Sequence, residues 1–256
     1  MKEEMYLARS KDEKVKSSAE YGGTVTALLS YVLEEDLVDA VLTIKPENGD
    51  RFNGLPVLID DPREVISSAG ALHCVSPNLP RYLQEYCDGA FDSKIAVVGK
   101  PCDIRGIIEM VKREALDIEN LYLIGVNCTG TISQATAKKM FEEEFEVIPS
   151  NVVREEIEPE ENSIKIRLKE GTEKERKLDE MEDKGFGRRG NCRWCDTNIP
   201  KSADLACGKW GVDDEETTFI EICSEKGDDL INEAKNKNYI ETERRSSNPK
   251  QQYSSV

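Results

Sequence analysis

Apolar residues recur along the chain at two spacings, which predict alternating strands and helices. Strands are predicted from apolar runs at 38–44, 56–59, 94–99, 121–126, 217–223 and 238–242. Helices are predicted from apolar residues three and four apart, or from turn signals, at 24–33, 61–68, 103–113, 133–145 and 227–236. The runs at 94–99 and 121–126 are short and continuously apolar, as in parallel strands that are buried on both faces.

The alternation of these elements predicts an α/β fold, in which helices flank a mixed and largely parallel sheet. We divide the sequence into an N-terminal region (1–90), a C-terminal region (91–242) and a polar tail (243–256) that we expect to be disordered. Residues 1–20 are polar and of mixed charge, so we expect a loosely packed lead-in there. We expect residues 45–54 to form a turn-rich loop.

A segment dense in Glu, Lys and Asp, residues 146–184, predicts an acidic β-hairpin lobe. Its strands are expected at 152–153 and 164–168, around a turn at 158–162. We interpret this lobe as exposed and without a chemical role, because charged residues at this density usually form a solvated face.

Cysteines follow both buried strands, Cys102 after the first and Cys128 after the second. Ligands of open α/β sheets bind beyond the carboxyl ends of the strands, so both thiols are expected at that edge. Farther along, Cys192 and Cys195 form a CxxC pair, whose short loop turns both sulfurs to the same side. Four such thiolates suit a 4Fe-4S cluster or a zinc ion, and their spacing does not separate the two. Cys207 is a fifth candidate ligand.

Basic residues surround the CxxC pair, although the chain has a net charge of -16. They are Lys184, Arg188, Arg189 and Arg193. We interpret them as a place where an anionic group docks beside a soft-metal centre. The alternative is a structural zinc knuckle, with the arginines on a solvated loop.

A second candidate anion site is the pair Gly22 and Gly23, which stands directly before a predicted helix. A bare glycine turn that feeds a helix N-terminus can bind a phosphate, and an ordinary helix-entry turn is the alternative. His73 is the only histidine of the chain and lies between two turn signals, beside Cys74. A lone histidine is more often a core or capping residue than a catalytic one.

Composition excludes several classes of function. A net charge of -16 opposes generic binding to nucleic acids or to anionic membranes. The sequence has no apolar run long enough to span a membrane and no secretory signal, so we expect a cytoplasmic protein. In that compartment the eight cysteines indicate metal ligation or redox chemistry rather than disulfides. Neither a P-loop nor an HExxH motif occurs, so hydrolytic functions lack a motif.

Several of these motifs, taken together, resemble the coenzyme F420 hydrogenase/dehydrogenase beta-subunit family. The resemblance extends over residues 5–240, nearly the whole sequence. The motifs that carry it are YGGTVTALL (21–29), VDAV (38–41), VGKPC (98–102), IGVNC (124–128) and the CxxC followed by Ala203, Asp204 and Gly208.

The resemblance implies a flavoprotein with FAD and a 4Fe-4S cluster that acts on coenzyme F420, a deazaflavin. Tyr21, Gly22, Gly23 and Thr24 would then hold the FAD end of the site, and the cysteines the cluster. From charge we expect Arg188, Arg189 and Arg193 to receive the anionic tail of the coenzyme. Lys100 and His73 are candidates for tuning the flavin. The hydride passes between bound cofactors, so no side chain is expected to act as acid or base in that step.

Within this family, the chain resembles more specifically the beta subunits of archaeal formate dehydrogenases. The motifs are KGFGRR (184–189), ADLACGKWG (203–211) and FIEICSE (219–225). This similarity implies a molybdopterin-containing alpha subunit as partner, and a larger heterodisulfide-reductase assembly as a further one.

Two alternatives to that function stay open. The first is the equivalent subunit of a coenzyme F420-reducing hydrogenase. The second is a zinc-stabilised assembly or binding paralogue without redox activity. The second is motivated by a departure from the family pattern, since such beta subunits usually continue into a ferredoxin-like segment and no cysteine follows Cys223 here.

Overall fold

The computed structural model describes residues 4–209, 212 and 215–245. Its strands are β1 Met5–Ser10, β2 Ala40–Glu47, β3 Asp50–Ile59, β4 Ile95–Gly99, β5 Leu121–Val126, β6 Val152–Glu158, β7 Ser163–Leu168, β8 Glu173–Lys177, β9 Leu205–Gly208, β10 Thr218–Ile222 and β11 Ile240–Arg244. Its α-helices are α1 Glu13–Ser18, α2 Thr24–Glu34, α3 Leu79–Tyr86, α4 Pro101–Val111, α5 Gln134–Glu143, α6 Leu178–Asp183, α7 Gly190–Arg193 and α8 Glu225–Asn236.

Within the described residues, the main sheet has eight strands in the order β11-β1-β10-β9-β5-β4-β2-β3. Its centre is parallel, because β4 pairs in parallel with β2 and β5, and β5 with β9. Both sides of this centre are antiparallel: β3 closes one, and β10, β1 and β11 extend the other. The predicted α/β fold with a mixed, largely parallel sheet is therefore confirmed.

Helices cover both faces of the parallel centre, which explains its continuously apolar strands. On one face, Val41, Ala96 and Ile124 belong to a core cluster with residues of α2 and α8. On the other face, alternate residues such as Ile95 and Val97 pack with residues of α3 and α4. None of the helices in the described part of the chain combines the length and apolarity that crossing a bilayer needs.

A second, three-stranded sheet, β6-β7-β8, forms the acidic lobe. It shares a core cluster with α5 and α6 that includes Phe52 and Phe141. The prediction that this lobe is simply exposed was wrong, because Arg154 and Glu155 on β6 are both buried. Glu155 pairs with Arg51 and Arg154 with Glu215, and the local sequence does not reveal these distant partners.

Residues 5–18 are not the loosely packed lead-in that we expected. Residues 5–10 form β1, whose backbone pairs with β10 on one side and β11 on the other. Such double pairing stabilises a strand without a strong apolar pattern. The tail predicted at 243–256 was expected to be disordered, but residues 243 and 244 belong to β11. Its part beyond residue 245 lies outside the described residues.

The expected loop at 45–54 is instead part of the hairpin of β2 and β3. Its turn, Asn48-Gly49, has positive φ angles of 51° and 75°. Asn-Gly is a strong signal for a two-residue hairpin turn, so the sequence did contain the relevant information. The predicted helix at 61–68 is a 3-10 helix, Pro62–Ser68.

Candidate cofactor cleft and cysteine site

A cleft opens at the carboxyl edge of the parallel strands. Each of the four strands contributes lining residues, among them Thr43 of β2, Val98 of β4, Val126 of β5 and Cys207 of β9. This is the position at which open α/β sheets bind ligands. All of the residues predicted for the flavin end of the site, together with Lys100, His73 and Cys128, line this one cleft or flank it directly.

The glycine turn forms one wall of the cleft and adopts a conformation that requires glycine. Gly22 and Gly23 have φ angles of 58° and 72°. A Cβ atom on Gly22 would lie 2.8 Å from the carbonyl oxygen of Glu216 and 3.0 Å from that of Ala8. Gly23 is the N-cap of α2 and provides no side chain to bond the first amides of the helix. The positive end of α2 is therefore available to an anionic group.

Two buried polar atoms in the cleft wall have no hydrogen-bond partner within the described structure. They are Oγ1 of Thr24, in the first turn of α2, and Oδ1 of Asn127, directly after β5. An unpaired buried polar atom is costly, and a ligand that supplies the missing hydrogen bond removes the cost. The residues here therefore fit a ligand with an anionic portion near Thr24 and a hydrogen-bond donor near Asn127.

The acidic lobe holds the glycine turn in place through Tyr21. The Tyr21 hydroxyl donates to Glu156 of β6, and the Arg154 guanidinium lies 4.8 Å from the centre of the Tyr21 ring. Arg154 also pairs with Glu156 at 2.7 Å. The pKa of Glu156 falls to about 2, because hydrogen bonds from Tyr21 and Arg154 and the charge of Lys209 outweigh the effect of burial.

His73 lies beside Glu20 in the same wall, with Nε2 3.4 Å from Oε2 of the carboxylate. Burial alone would lower the pKa of His73, but the hydrogen bond and charge of Glu20 outweigh it and raise this pKa above its ordinary value. The pKa of Glu20 is lowered, because His73, Arg154 and Arg51 together outweigh its own burial. Each group of the pair therefore stabilises the charged form of the other.

The cysteine site adjoins the cleft. Cys128 follows β5, its thiol accepts a hydrogen bond from the Gly130 amide at 3.4 Å, and its own amide donates to the Asn198 carbonyl at 3.0 Å. Burial raises the pKa of the Cys128 thiol to about 11, and the nearby Cys102 and Cys192 contribute smaller increases. Cys102 lies in the first turn of α4. Cys128 therefore lies within electrostatic range of two other predicted ligands.

The CxxC loop rests against the segment that follows Cys128. Sγ of Cys192 lies 3.6 Å from Oγ1 of Thr131. A Cβ on Gly130 would lie 2.6 Å from Cδ of Arg188 and 3.6 Å from Cβ of Cys192, so glycine permits this close approach. Since Cys128, Gly130 and Thr131 also line the cleft, the cysteine site and the cleft share a wall.

The four cysteines do not form a closed metal site as they stand. Within the described residues, no three His, Cys, Asp or Glu side chains are close enough together to hold a metal ion. Cys195 is exposed on the loop, whereas Cys128 and Cys192 are partly buried. In its chemistry the donor set fits a tetrahedral thiolate centre.

The fifth candidate, Cys207, differs from Cys128 in its burial and in its neighbours. It is completely buried in β9, and burial raises the pKa of its thiol to about 12, with a smaller contribution from Cys223. Its titratable neighbour is therefore Cys223, whereas the neighbours of Cys128 are Cys102 and Cys192. This arrangement favours the set of Cys102, Cys128, Cys192 and Cys195.

The predicted basic residues have different surroundings. Arg188 pairs with Glu182 at 2.7 Å, and Arg193 bonds the backbone carbonyls of Glu182, Phe186 and Arg188. These two arginines therefore brace the loop. Arg189 is exposed and makes no ion pair with a described residue. Among the three arginines, it is the one that can receive an anion without giving up an ion pair.

Lys100 is held at the boundary between the cleft and the cysteine site. Its ammonium lies 3.0 Å from Asp103, and both side chains are largely buried. Its charge lowers the pKa of Cys128 and opposes the effect of burial there. Sequence reasoning had missed Glu20, Asn127, Arg154 and Glu156. For Asn127 a signal existed, since it directly follows a predicted buried strand.

Comparison with known proteins shows the family to which the chain belongs. Two models of the coenzyme F420 hydrogenase/dehydrogenase beta-subunit family match the chain, the C-terminal one over residues 92–248 and the N-terminal one over residues 5–81. The F420-dependent formate dehydrogenase 1 subunit beta of Methanococcus maripaludis is 40% identical over 98% of this chain. The F420-dependent formate dehydrogenase subunit beta of Methanocaldococcus jannaschii is 44% identical over 91% of it.

The chain spans 63% and 60% of the lengths of these two relatives. Among solved structures, a chain of the F420-reducing NiFe hydrogenase complex from Methanosarcina barkeri superposes with a TM-score of 0.82 at 20% identity. The superposition covers 93% of this chain and 81% of that one. This likeness concerns the fold.

Proposed function

Because the chain belongs to the coenzyme F420 hydrogenase/dehydrogenase beta-subunit family, we propose that it is an oxidoreductase subunit, the beta subunit of an F420-dependent formate dehydrogenase. In this proposal electrons from formate oxidation pass through a 4Fe-4S cluster and FAD to coenzyme F420, which receives them as a hydride. Identities of 40% and 44% to formate dehydrogenase beta subunits, against 28% to the coenzyme F420 hydrogenase subunit beta of Methanococcus voltae, favour formate over hydrogen as the electron source.

The observation that carries the proposal is the wall that the cleft shares with the cysteine site. FAD, when bound, exchanges electrons singly with a cluster and in pairs with a deazaflavin, so it belongs between them. The residues of the shared wall are Cys128, Gly130 and Thr131. A flavin in the cleft would therefore lie next to the cysteines.

The glycine turn and the start of α2 are proposed to bind the phosphates of FAD. The amides after Gly23 carry no side-chain cap, and Thr24 has a buried hydroxyl without a partner in the described structure. An anionic phosphate at this helix N-terminus would satisfy both. Tyr21, held by Glu156 and Arg154, fixes the position of the turn.

Cys102, Cys128, Cys192 and Cys195 are proposed to hold the 4Fe-4S cluster. Cys128 is fixed by two hydrogen bonds with backbone groups and already lies near Cys102 and Cys192. Lys100 adds a positive charge next to these thiols, which favours their deprotonated, metal-binding form. The apolar residues of the cleft, such as Val98 and Val126, would exclude water from the reacting rings.

The proposed partners follow from the names of the relatives and from the family. A beta subunit requires a second subunit that oxidises formate, and we expect a molybdopterin-containing alpha subunit. A larger heterodisulfide-reductase assembly is a further expected partner, and the cytoplasm the expected location. Arg189, exposed beside the CxxC loop, is the residue we expect to receive the anionic tail of coenzyme F420.

The first test is to measure iron, acid-labile sulfide, zinc and flavin per chain. The protein is purified without oxygen and reconstituted with iron, sulfide and FAD. We expect about four irons and one FAD per chain. One zinc and no flavin would overturn the redox function and leave the zinc-stabilised alternative. Capture of a nickel–iron partner rather than a molybdopterin partner would reassign the subunit to a hydrogenase.

A further inference from the structure

A second cavity adjoins the cleft and shares Glu20 with it. Half of its lining residues are charged or polar, among them Arg51 of β3 and Lys138 and Glu142 of α5. Glu20 lines both this polar cavity and the cleft, whereas His73 lines the cleft alone. The Glu20 side chain is 13% exposed and that of His73 is 25% exposed. The pair therefore connects two spaces of different polarity.

The proposed reaction needs protons in the cleft as well as electrons. Oxidation of formate releases carbon dioxide, one proton and two electrons at the partner subunit. Reduction of a deazaflavin consumes two electrons and two protons, one of which travels within the hydride. Both protons must enter the cleft from solvent, and the apolar part of its lining cannot carry them. A protonatable side chain between solvent and cleft would meet this need.

We propose that Glu20 and His73 form a proton relay from the polar cavity into the cleft. A proton from solvent in the polar cavity reaches Glu20 and passes to Nε2 of neutral His73, which carries its own proton on Nδ1. The imidazolium releases the Nδ1 proton into the cleft, and a turn of the neutral ring then presents an unprotonated nitrogen to Glu20 again. No electrons move in this step, and each pass transfers one proton, so one reduction takes two passes. This inference rests on the proposed function, since it assigns the relay to that reaction.

Several charged groups face the pair from the elements packed around it. Arg51 of β3 lies 3.6 Å from Glu20 and 2.6 Å from Glu155. Arg154, Glu155 and Glu156 of β6 act on the pair through their charges. Arg51 and Arg154 lower the pKa of Glu20, whereas Glu155 and Glu156 raise that of His73. The surrounding charges therefore favour transfer of a proton from Glu20 to His73.

The coupling of the pair can be measured without any cofactor. Because the chain has one histidine, its ring protons give a single NMR titration in protein that lacks a histidine tag. We expect the pKa of His73 to lie above its ordinary value of 6.5. Glu20→Gln should lower it, because the hydrogen bond and charge of Glu20 raise it. An unchanged pKa in Glu20→Gln would overturn the relay.

The relay itself is tested by the midpoint potential of bound FAD as a function of pH. The slope of this plot changes at the pKa of a group whose protonation is linked to reduction. In wild-type protein we expect the slope to change at the pKa of His73 determined by NMR. This change of slope should disappear in His73→Gln and should move to lower pH in Glu20→Gln. Glu142→Gln is the control, since Glu142 lines the polar cavity without lining the cleft.

The outcomes separate this inference from the proposed function. If wild-type protein binds FAD and His73→Gln keeps the change of slope, the relay is wrong and the proposed function stands. If wild-type protein binds no FAD, the proposed function fails, and the relay fails with it. A merely structural role of His73 would lower FAD affinity without removing the change of slope.

Discussion

The wall around Gly22 and the loop around Cys192 lie at the same edge of the sheet, but they are built differently. Backbone from β1 and from residues 215–217 packs closely around Gly22, and side chains of β6 hold the residue before it. The CxxC loop contains only the short helix α7, and between its cysteines Trp194 is 89% exposed. Protein contacts complete the first region, and the second is left open.

This difference indicates how each region would acquire its ligand. A wall fixed by protein contacts is preorganised, so binding there orders few groups. A loop with separated cysteines is completed by its metal, and the free energy of metal binding then contributes to folding of the loop. Arg188 pairs with Glu182, and Arg193 bonds backbone carbonyls at the base of this loop. These contacts limit how far the loop moves when it binds a metal.

The largest expected effect comes from removing one thiol of the open region. Cys192→Ser should reduce iron from about four per chain to nearly none, because a cluster of this type needs four thiolates. FAD binding should persist, since the glycine turn does not depend on the loop. Iron and flavin analysis of the same preparation measures both.

Two further serine variants serve as controls for that experiment. Cys87→Ser should keep its iron, because Cys87 packs against the core cluster that includes α3 and α4. Cys207→Ser should also keep it. Loss of iron in Cys207→Ser with retention in Cys192→Ser would contradict the assigned ligand set.

The next prediction compares the change in stability when one glycine of each region is replaced by alanine. Gly22→Ala places a Cβ within 3.0 Å of backbone atoms at a φ of 58°, whereas a Cβ on Gly190 meets nothing within 4 Å. We expect Gly22→Ala to lower the free energy of unfolding by about 2 kcal/mol or more. Gly190→Ala should change it by less than about 0.5 kcal/mol. Urea denaturation measures both, and equal losses would refute the contrast.

A smaller effect concerns the anchor of the glycine turn at low pH. The pKa of Glu156 is lowered from 4.5 to about 2, so its stabilisation is complete above pH 4.5 and is lost as the pH falls toward 2. Allowing for partial solvent screening, Glu156→Gln should remove about 2 kcal/mol at pH 7. The difference from wild type should shrink at pH 3.

A control for the acid experiment is Glu161→Gln, which removes a pair with Lys165 on the exposed side of the lobe. Exposed pairs contribute little, so its free energy of unfolding should stay within about 0.5 kcal/mol of wild type at both pH values. A loss at Glu156→Gln that does not change between pH 7 and pH 3 would show that charge is not the cause.

Much of the fold could be predicted, because its parallel strands are apolar on both faces. The runs that became β4 and β5, and the helical spacing that became α2, identify their elements locally. β1 and β9 could not be predicted in this way. β9 has only four residues, and β1 is stabilised by partners at 218–221 and 240–244 rather than by its own pattern.

The residues of the candidate site likewise differ in whether the local sequence predicts them. Its cysteines follow strands or form a CxxC, so the sequence points to them directly. The residues that hold the cleft wall, Arg154, Glu155 and Glu156, lie in a charged segment whose composition is typical of a solvated face. Their burial depends on distant partners such as Arg51, which is 104 residues from Glu155 in sequence. Only the folded chain brings these charges together.

The position of β1 determines when the cleft can form during synthesis. Chains emerge from the ribosome N-terminus first, but β1 pairs with residues 218–221 and 240–244. Gly22 likewise packs against backbone at 216 and 217. The glycine turn therefore stays unsupported after its own translation until these late residues have left the ribosome. Binding of the proposed FAD therefore has to wait for synthesis of these residues, and ribosome-bound chains that lack β10 and β11 should not retain FAD.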